Sequence, residues 1–272
     1  LVGSEMCIRD RFEGLMKWED SGEVANGTDG TADSGKLVPG QAESYEKTEN
    51  DDGTVTYTFK LRDGIKWSDG KDVTAGDFEY SWKRLVNPET AADYNYMLDG
   101  VVNANEIIAG EKDPDELAAK ALDDKTFEVT LVNDLSYFEE LCAFPAMMPV
   151  REDMIEKAGD QWTFDTATYI SNGAYKLKEW THNSQIVVEK NENYYDVENL
   201  GPETITFKLM DDQNAMLSGF NSGELDFIED VPQAEIANLI ASGDMKIVDY
   251  IGTYYVCFQT PVSYTHLTLP TK

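Results

Sequence analysis

The chain has 272 residues, 41% hydrophobic and 27% charged, which suits one large or two ordinary domains with real cores and excludes a disordered tail. With 22 Lys and Arg against 52 Asp and Glu its net charge is −30, so a phosphate backbone or an anionic lipid surface repels it, which argues against nucleic acid as a partner. No apolar run reaches the ~18 residues of a membrane-spanning helix.

In chain order, the first segment does not read as part of a fold. LVGSEMCIRDR, Leu1 to Arg11, reads as a translated frame of the transposase adapter used in sequencing libraries, and VSYTHLTLPTK, Val262 to Lys272, as the partner adapter read inward, with Pro261 at the junction. Residues 1–11 and 261–272 are expected to add nothing to the fold, leaving 12–260 as a piece of a longer gene. That piece keeps Cys142, Cys257 and His182, too few for a zinc site or a disulfide framework, so the cysteines read as small core residues and no metal or cofactor is expected.

Val24 to Lys36 is small, polar and Gly-rich, and reads as a surface loop or hairpin tip. In TVTYTFKL, Val55, Tyr57, Phe59 and Leu61 alternate with polar residues, the period of a strand with one buried face, after a turn at Asp51-Asp52-Gly53. Thr74, with Asp77 three residues on, makes a capping box for a helix carrying Phe78, Trp82 and Leu85 and closed by Pro88. Asp113-Pro114 predicts a short helix through Leu122. Thr126 to Asn133 alternates as a strand, and Tyr137 to Leu141 reads as a helix before Pro145.

Ala174 to Trp180 and Gln185 to Lys190 predict a hairpin, with a further strand at Ile205, Phe207 and Leu209. Helices are expected over Gln213 to Phe220 and Pro232 to Ile240, then strands over Met245 to Tyr250 and Tyr254 to Gln259. Interleaved strands and helices without a repeat predict an α/β or mixed α+β chain.

Chemistry is sparse. Carboxylate neighbours such as Glu139-Glu140 and Asp211-Asp212 arise from composition, and a two-carboxylate hydrolase needs facing groups in a cleft with one raised pKa. His182 sits in a turn-like setting among Thr181, Asn183 and Ser184, and no phosphate-binding loop, nucleophile elbow or zinc-protease motif occurs. No catalytic residue is assigned. The 14 tyrosines are more informative, with Tyr94 and Tyr96 in one cluster and Tyr250, Tyr254 and Tyr255 in another. A tyrosine offers an apolar ring with a polar tip, which suits either a half-buried strand or a pocket that accepts varied groups.

The stretch YTFKLRDGIKWSDGKDVTAGDFEYSWKRLVNPETA, Tyr57 to Ala91, resembles the signature of the family 5 solute-binding proteins of ABC importers. The similarity continues through ANEIIAGEKDPDELAAKALDDKTFEVTL, ISNGAYKLKEW, KNENYYD, SGELDFIEDVP and GTYYVCF, and is strongest to the oligopeptide binders. The resemblance implies a periplasmic-binding-protein-like type II fold, truncated, with an inserted smaller lobe. On that pattern 12–15 end the first visit to lobe I, 16–150 form the inserted lobe, 151–251 return to lobe I, and 252–260 begin a second ligand-binding lobe.

It also implies that no reaction is catalysed. The complete protein is expected to be monomeric, periplasmic or held outside the membrane as a lipoprotein, capturing oligopeptides between two lobes for the importer's membrane subunits. Another solute of the same family (nickel chelate, haem or oligosaccharide) is the alternative, and an acidic hydrolase a weaker one. Matches to the family's pocket fall on Tyr94, Glu229, Asp230, Tyr250 and Tyr255. Cys257 stands where the pocket has a polar residue, and Gly252 where some oligopeptide binders carry a cysteine, so that disulfide cannot form.

Overall fold

The computed structural model describes residues 11–24 and 33–245. The strands expected over 245–250 and 254–259 therefore lie outside the described residues, Met245 apart. Strands β1 (Met16–Val24) and β2 (Asp33–Pro39) form an antiparallel hairpin in which Trp18 faces Leu37. Residues 33–36, expected within a loop, extend β2 instead, with Lys36 paired to Glu19.

A four-stranded antiparallel sheet follows, in the order β3 (Ala42–Glu49), β4 (Val55–Leu61), β6 (Thr126–Leu131), β5 (Ala119–Asp123). The alternation in β4 holds: Val55, Tyr57, Phe59 and Leu61 are all buried. Helix α1 (Ala75–Val86) covers this face, with Phe78 and Trp82 against Phe127, the Trp82 and Phe127 rings edge to face at 5.0 Å. The Asp77 carboxylate accepts from the Thr74 N–H at 2.8 Å and from the Trp67 indole N–H at 3.3 Å, so the capping box also anchors the preceding loop. Asn87 is extended, as the residue before a proline is driven to be, and the helix stops there.

Residues 114–122 do not form the expected helix. Asp113 and Pro114 do open a turn, the single 3-10 turn Pro114–Glu116, but the chain then enters β5, where Ala119 pairs with Val129 and Ala121 with Phe127. The buried Leu117 and Ala119 gain more from the sheet than an alanine-rich sequence gains from local helix propensity. Short helices α2 (Ala104–Ile108), α3 (Phe138–Leu141) and α4 (Glu152–Ala158) complete this part.

A second antiparallel sheet runs β7 (Tyr175–Thr181), β8 (Gln185–Lys190), β9 (Thr204–Lys208), its hairpin turning at left-handed Asn183. Helix α5 (Gln213–Asn221) is capped by the Asp212 side chain, which accepts from the Ala215 N–H at 2.8 Å. Helix α6 (Ile236–Ser242) ends at Gly243 in the left-handed region, as expected of a C-terminal glycine. One apolar cluster joins the two sheets, running from Phe12 and Leu15 through the four-stranded sheet to Tyr169, Leu177 and Val188. Arg11, expected to add nothing to the fold, is packed into it: it is buried, with its guanidinium carbon 4.6 Å from the Tyr169 ring centroid.

Candidate functional site

The loop after α1 carries Tyr94, the first of the residues expected in a site. Pro88–Thr90 makes a 3-10 turn, Ala91 follows in the left-handed region, and Tyr94 precedes a second turn, Asn95–Leu98, anchored by buried Leu98. This leaves Tyr94 43% and Tyr96 53% exposed, their ring centroids 6.0 Å apart. The Phe144 ring lies 5.4 Å from Tyr94, completing a shelf of three aromatic rings. Phe144 is positioned from below, because the next turn, Pro145–Met147, offers its Met147 carbonyl to the buried Trp82 indole N–H at 2.9 Å. Tyr94 and Tyr96 were visible as a sequence cluster. Phe144 was not, since its place depends on a contact 50 residues away in the chain.

Glu229 and Asp230 are exposed and lie between α5 and Pro232. Among the described residues no hydrogen bond, ion pair or ring contact joins them to Tyr94. Tyr250, Tyr255 and Cys257 lie outside the described residues. A cavity of about 280 Å³ is lined by Met210, Ala215, Ser218, Gly219, Ser222, Glu224 and Leu225. Neither Tyr94 nor Glu229 nor Asp230 is among these lining residues. Cys142 is wholly buried and burial pushes its thiol well above the ordinary range, the behaviour of a core residue. Among the described residues no group of His, Cys, Asp and Glu could hold a metal ion, and no helix is long and apolar enough to cross a membrane.

What the signature stretch does is structural. Ser68 N–H donates to the Ser171 carbonyl at 2.7 Å, the Ser171 N–H returns a bond to the Ser68 hydroxyl, and the Asn193 amide donates to the Ser68 carbonyl at 3.1 Å. The Arg151 guanidinium grips Asp69 at 2.9 Å and both oxygens of Asp153 at 2.6 and 2.7 Å, 5.6 Å from the Trp67 ring centroid. Lys71 joins the same Asp153 at 2.8 Å. Residues 67–72 thus latch the four-stranded half to the three-stranded half. A second tie is the strap 11–16: Gly173 N–H donates to the Arg11 carbonyl, Gly40 and Ala42 N–H to the Leu15 carbonyl, and Met16 N–H to the Cys142 carbonyl. The aromatic shelf therefore stands on a body held rigid from two sides, able to offer ring faces and hydroxyls to a ligand.

The family model described as "Bacterial extracellular solute-binding proteins, family 5 Middle" matches residues 36–266. The chain is 38% identical over 252 residues to the periplasmic oligopeptide-binding protein OppA of Salmonella typhimurium, covering 91% of this chain and 43% of that one. It is 35% identical over 257 residues to the periplasmic murein peptide-binding protein MppA of Escherichia coli, covering 93% and 44%. The solved structure of Haemophilus influenzae OppA in complex with RPPGFSPFR superposes with a TM-score of 0.77 at 36% identity, covering 87% of this chain and 43% of that one. The chain spans less than half the length of these relatives, and over that span its mixed α/β fold is theirs. It belongs to the bacterial extracellular solute-binding proteins, family 5.

Proposed function

We propose that the complete protein captures oligopeptides outside the cytoplasmic membrane and delivers them to the membrane subunits of an ABC importer, catalysing no reaction. The observation that carries this reading is similarity over nine-tenths of the chain to proteins named for peptide binding, one of them solved with a nonapeptide. The shelf of exposed Tyr94 and Tyr96 with half-buried Phe144 supports it, because ring faces accept varied side chains while hydroxyls meet a peptide backbone. On this reading Tyr94, Glu229, Asp230, Tyr250, Tyr255 and Cys257 contact the ligand, with Glu229 and Asp230 attracting its amine. Residues 12–15 and 151–251 belong to lobe I, 16–150 to the inserted lobe, and 252–260 open the second lobe; the complete protein is a monomer, periplasmic or held outside the membrane as a lipoprotein.

Enclosure between two lobes strips water from both faces of a ligand and supplies much of the affinity. The 272-residue chain alone is therefore expected to bind peptides more weakly than about 100 μM, and the complete gene product at micromolar or tighter. Calorimetric titration of both with a pool of short peptides checks this. Failure of the complete product to bind any peptide, with binding of a nickel chelate, haem or an oligosaccharide, overturns the peptide assignment.

A further inference from the structure

The charge around the shelf of Tyr94, Tyr96 and Phe144 is one-sided. The two stretches that supply its rings, 85–111 and 126–150, contain no Lys or Arg, although the chain has 22. Exposed Asp93 and Asp99 stand before and after the two tyrosines, and exposed Glu140 lies four residues before Phe144. Among the described residues none of these three acids forms an ion pair. The cations on neighbouring elements are otherwise engaged. Lys47 of β3 pairs with Asp134 at 2.7 Å, and Lys83 of α1 holds Glu79 at 2.8 Å and Asp115 at 2.9 Å. Arg84 lines a different cavity, with Tyr80 and Glu89, to which neither shelf tyrosine contributes.

The rings are also set in place before a ligand arrives. The Met97 N–H donates to the Tyr94 carbonyl and the Asp99 N–H to the Tyr96 carbonyl, each at 3.1 Å, while the Asn105 side-chain amide donates to the Asp99 carbonyl at 3.0 Å. Tyr94 is tilted by 36° to Tyr96 and by 55° to Phe144, so the rings do not close face to face on one another. Among the described residues neither tyrosine hydroxyl has a hydrogen-bond partner. The face of an aromatic ring is negative at its centre and draws a cation. Of the two cationic side chains, guanidinium is planar and the more weakly hydrated, so it stacks at the smaller desolvation cost.

We propose that the shelf is a subsite for a cationic side chain of the ligand, arginine ahead of lysine, with the rings of Tyr94, Tyr96 and Phe144 receiving the guanidinium and Asp93 and Asp99 adding to the attraction. The source of that side chain rests on the peptide-binding reading above, whereas its charge rests on the shelf. Tyr96 and Phe144 thereby join Tyr94 as residues that set ligand preference. A carboxylate in the same place meets negative ring faces and two acids, so the shelf discriminates by charge more than by size.

Arginine and its neutral isostere citrulline test this. Nα-acetyl-arginine methylamide and the citrulline analogue are titrated separately into the 272-residue chain at low salt, each followed by saturation-transfer NMR on the probe. The arginine probe is expected to bind about two- to fivefold more tightly. That ratio should fall to about one in Tyr94→Leu plus Tyr96→Leu, two exposed positions whose replacement spares the core. In Asp93→Asn plus Asp99→Asn it should fall part of the way. Equal binding of the two probes overturns the subsite. So does a preference for arginine that survives loss of both tyrosines, since the net charge of −30 then accounts for it. Calorimetry of the complete gene product with Ala-Arg-Ala and Ala-citrulline-Ala separates the two readings. Binding of neither peptide counts against the peptide reading and leaves the probes to decide the shelf, whereas equal binding of both counts against the shelf alone.

Discussion

Arg151 shows how a single side chain does the work that the signature motif announces. Its side chain is 5% exposed, stacks on Trp67 and meets Asp69 and Asp153, so removing it takes the ion-pair partner from Asp69, leaves Asp153 to Lys71 and uncovers an indole. Arg151→Met is expected to lower the unfolding free energy by about 2 kcal/mol, less than for a fully buried pair because the acids are partly exposed, and urea unfolding at pH 7 reads it. Arg151→Lys should not rescue it, since an ammonium cannot make the two-pronged bond to Asp153. Hydrogen bonds from Arg151, helped by Lys71, hold the Asp153 carboxyl below its usual range. That stabilisation is present above the unfolded value of 3.8 and lost as pH falls through the lowered folded one. The gap between parent and Arg151→Met should therefore close in acid, and a gap constant down to pH 2 would contradict the assignment. None of this was legible in WSDG. The motif was recognisable, but its partners Arg151, Ser171 and Asn193 lie about 80 to 125 residues further on. Gly14 in FEGL is similar: a Cβ there would stand 2.3 Å from the Cys142 carbonyl oxygen, a reason that exists only in three dimensions.

At the scale of elements, periodicity was enough where one face is buried and local capping agrees with it, as in β4, α1 and the β7–β8 hairpin. It was not enough for β5. There the capping signals of Asp113 and Pro114 are real but serve one turn, and the strand is decided by β6 on one side and α1 on the other. The Ala121 N–H points away from β6 and donates to the Glu79 carboxylate on α1 at 2.7 Å. Glu79→Ala leaves that amide without its acceptor and should cost about 1–2 kcal/mol while Lys83 keeps Asp115. Hydrogen exchange at 119–123 should quicken selectively; unchanged exchange would mean that pairing with β6 alone holds the strand. Strand β3 and the short α2 and α4 escaped notice because they are mostly polar or too short to show a period.

For the whole molecule, burial is uneven. The four-stranded half is densely packed, whereas α5 buries only Gly219, α6 buries nothing, and Leu209, Phe227 and Ile240 are 39%, 68% and 42% exposed. Exposed apolar residues on and beside thinly covered helices favour association. The chain is expected to bind a hydrophobic dye and to self-associate at tens of micromolar, with Phe227→Asp plus Ile240→Lys reducing dye binding at least twofold. A monomeric chain with no dye signal would contradict this. The aromatic shelf was half legible, Tyr94 and Tyr96 from spacing and Phe144 only from packing. The strap at 11–16 also sets a schedule for biosynthesis. Glu13 emerges from the ribosome 181 residues ahead of its hydrogen-bond partner Tyr194, which at about 5–20 residues per second is a wait of roughly 10–40 s. Until then the strap has no seam between the two halves to occupy, so it is fastened only after the second sheet has been made, and a nascent chain stalled before Asn172 should expose it to protease.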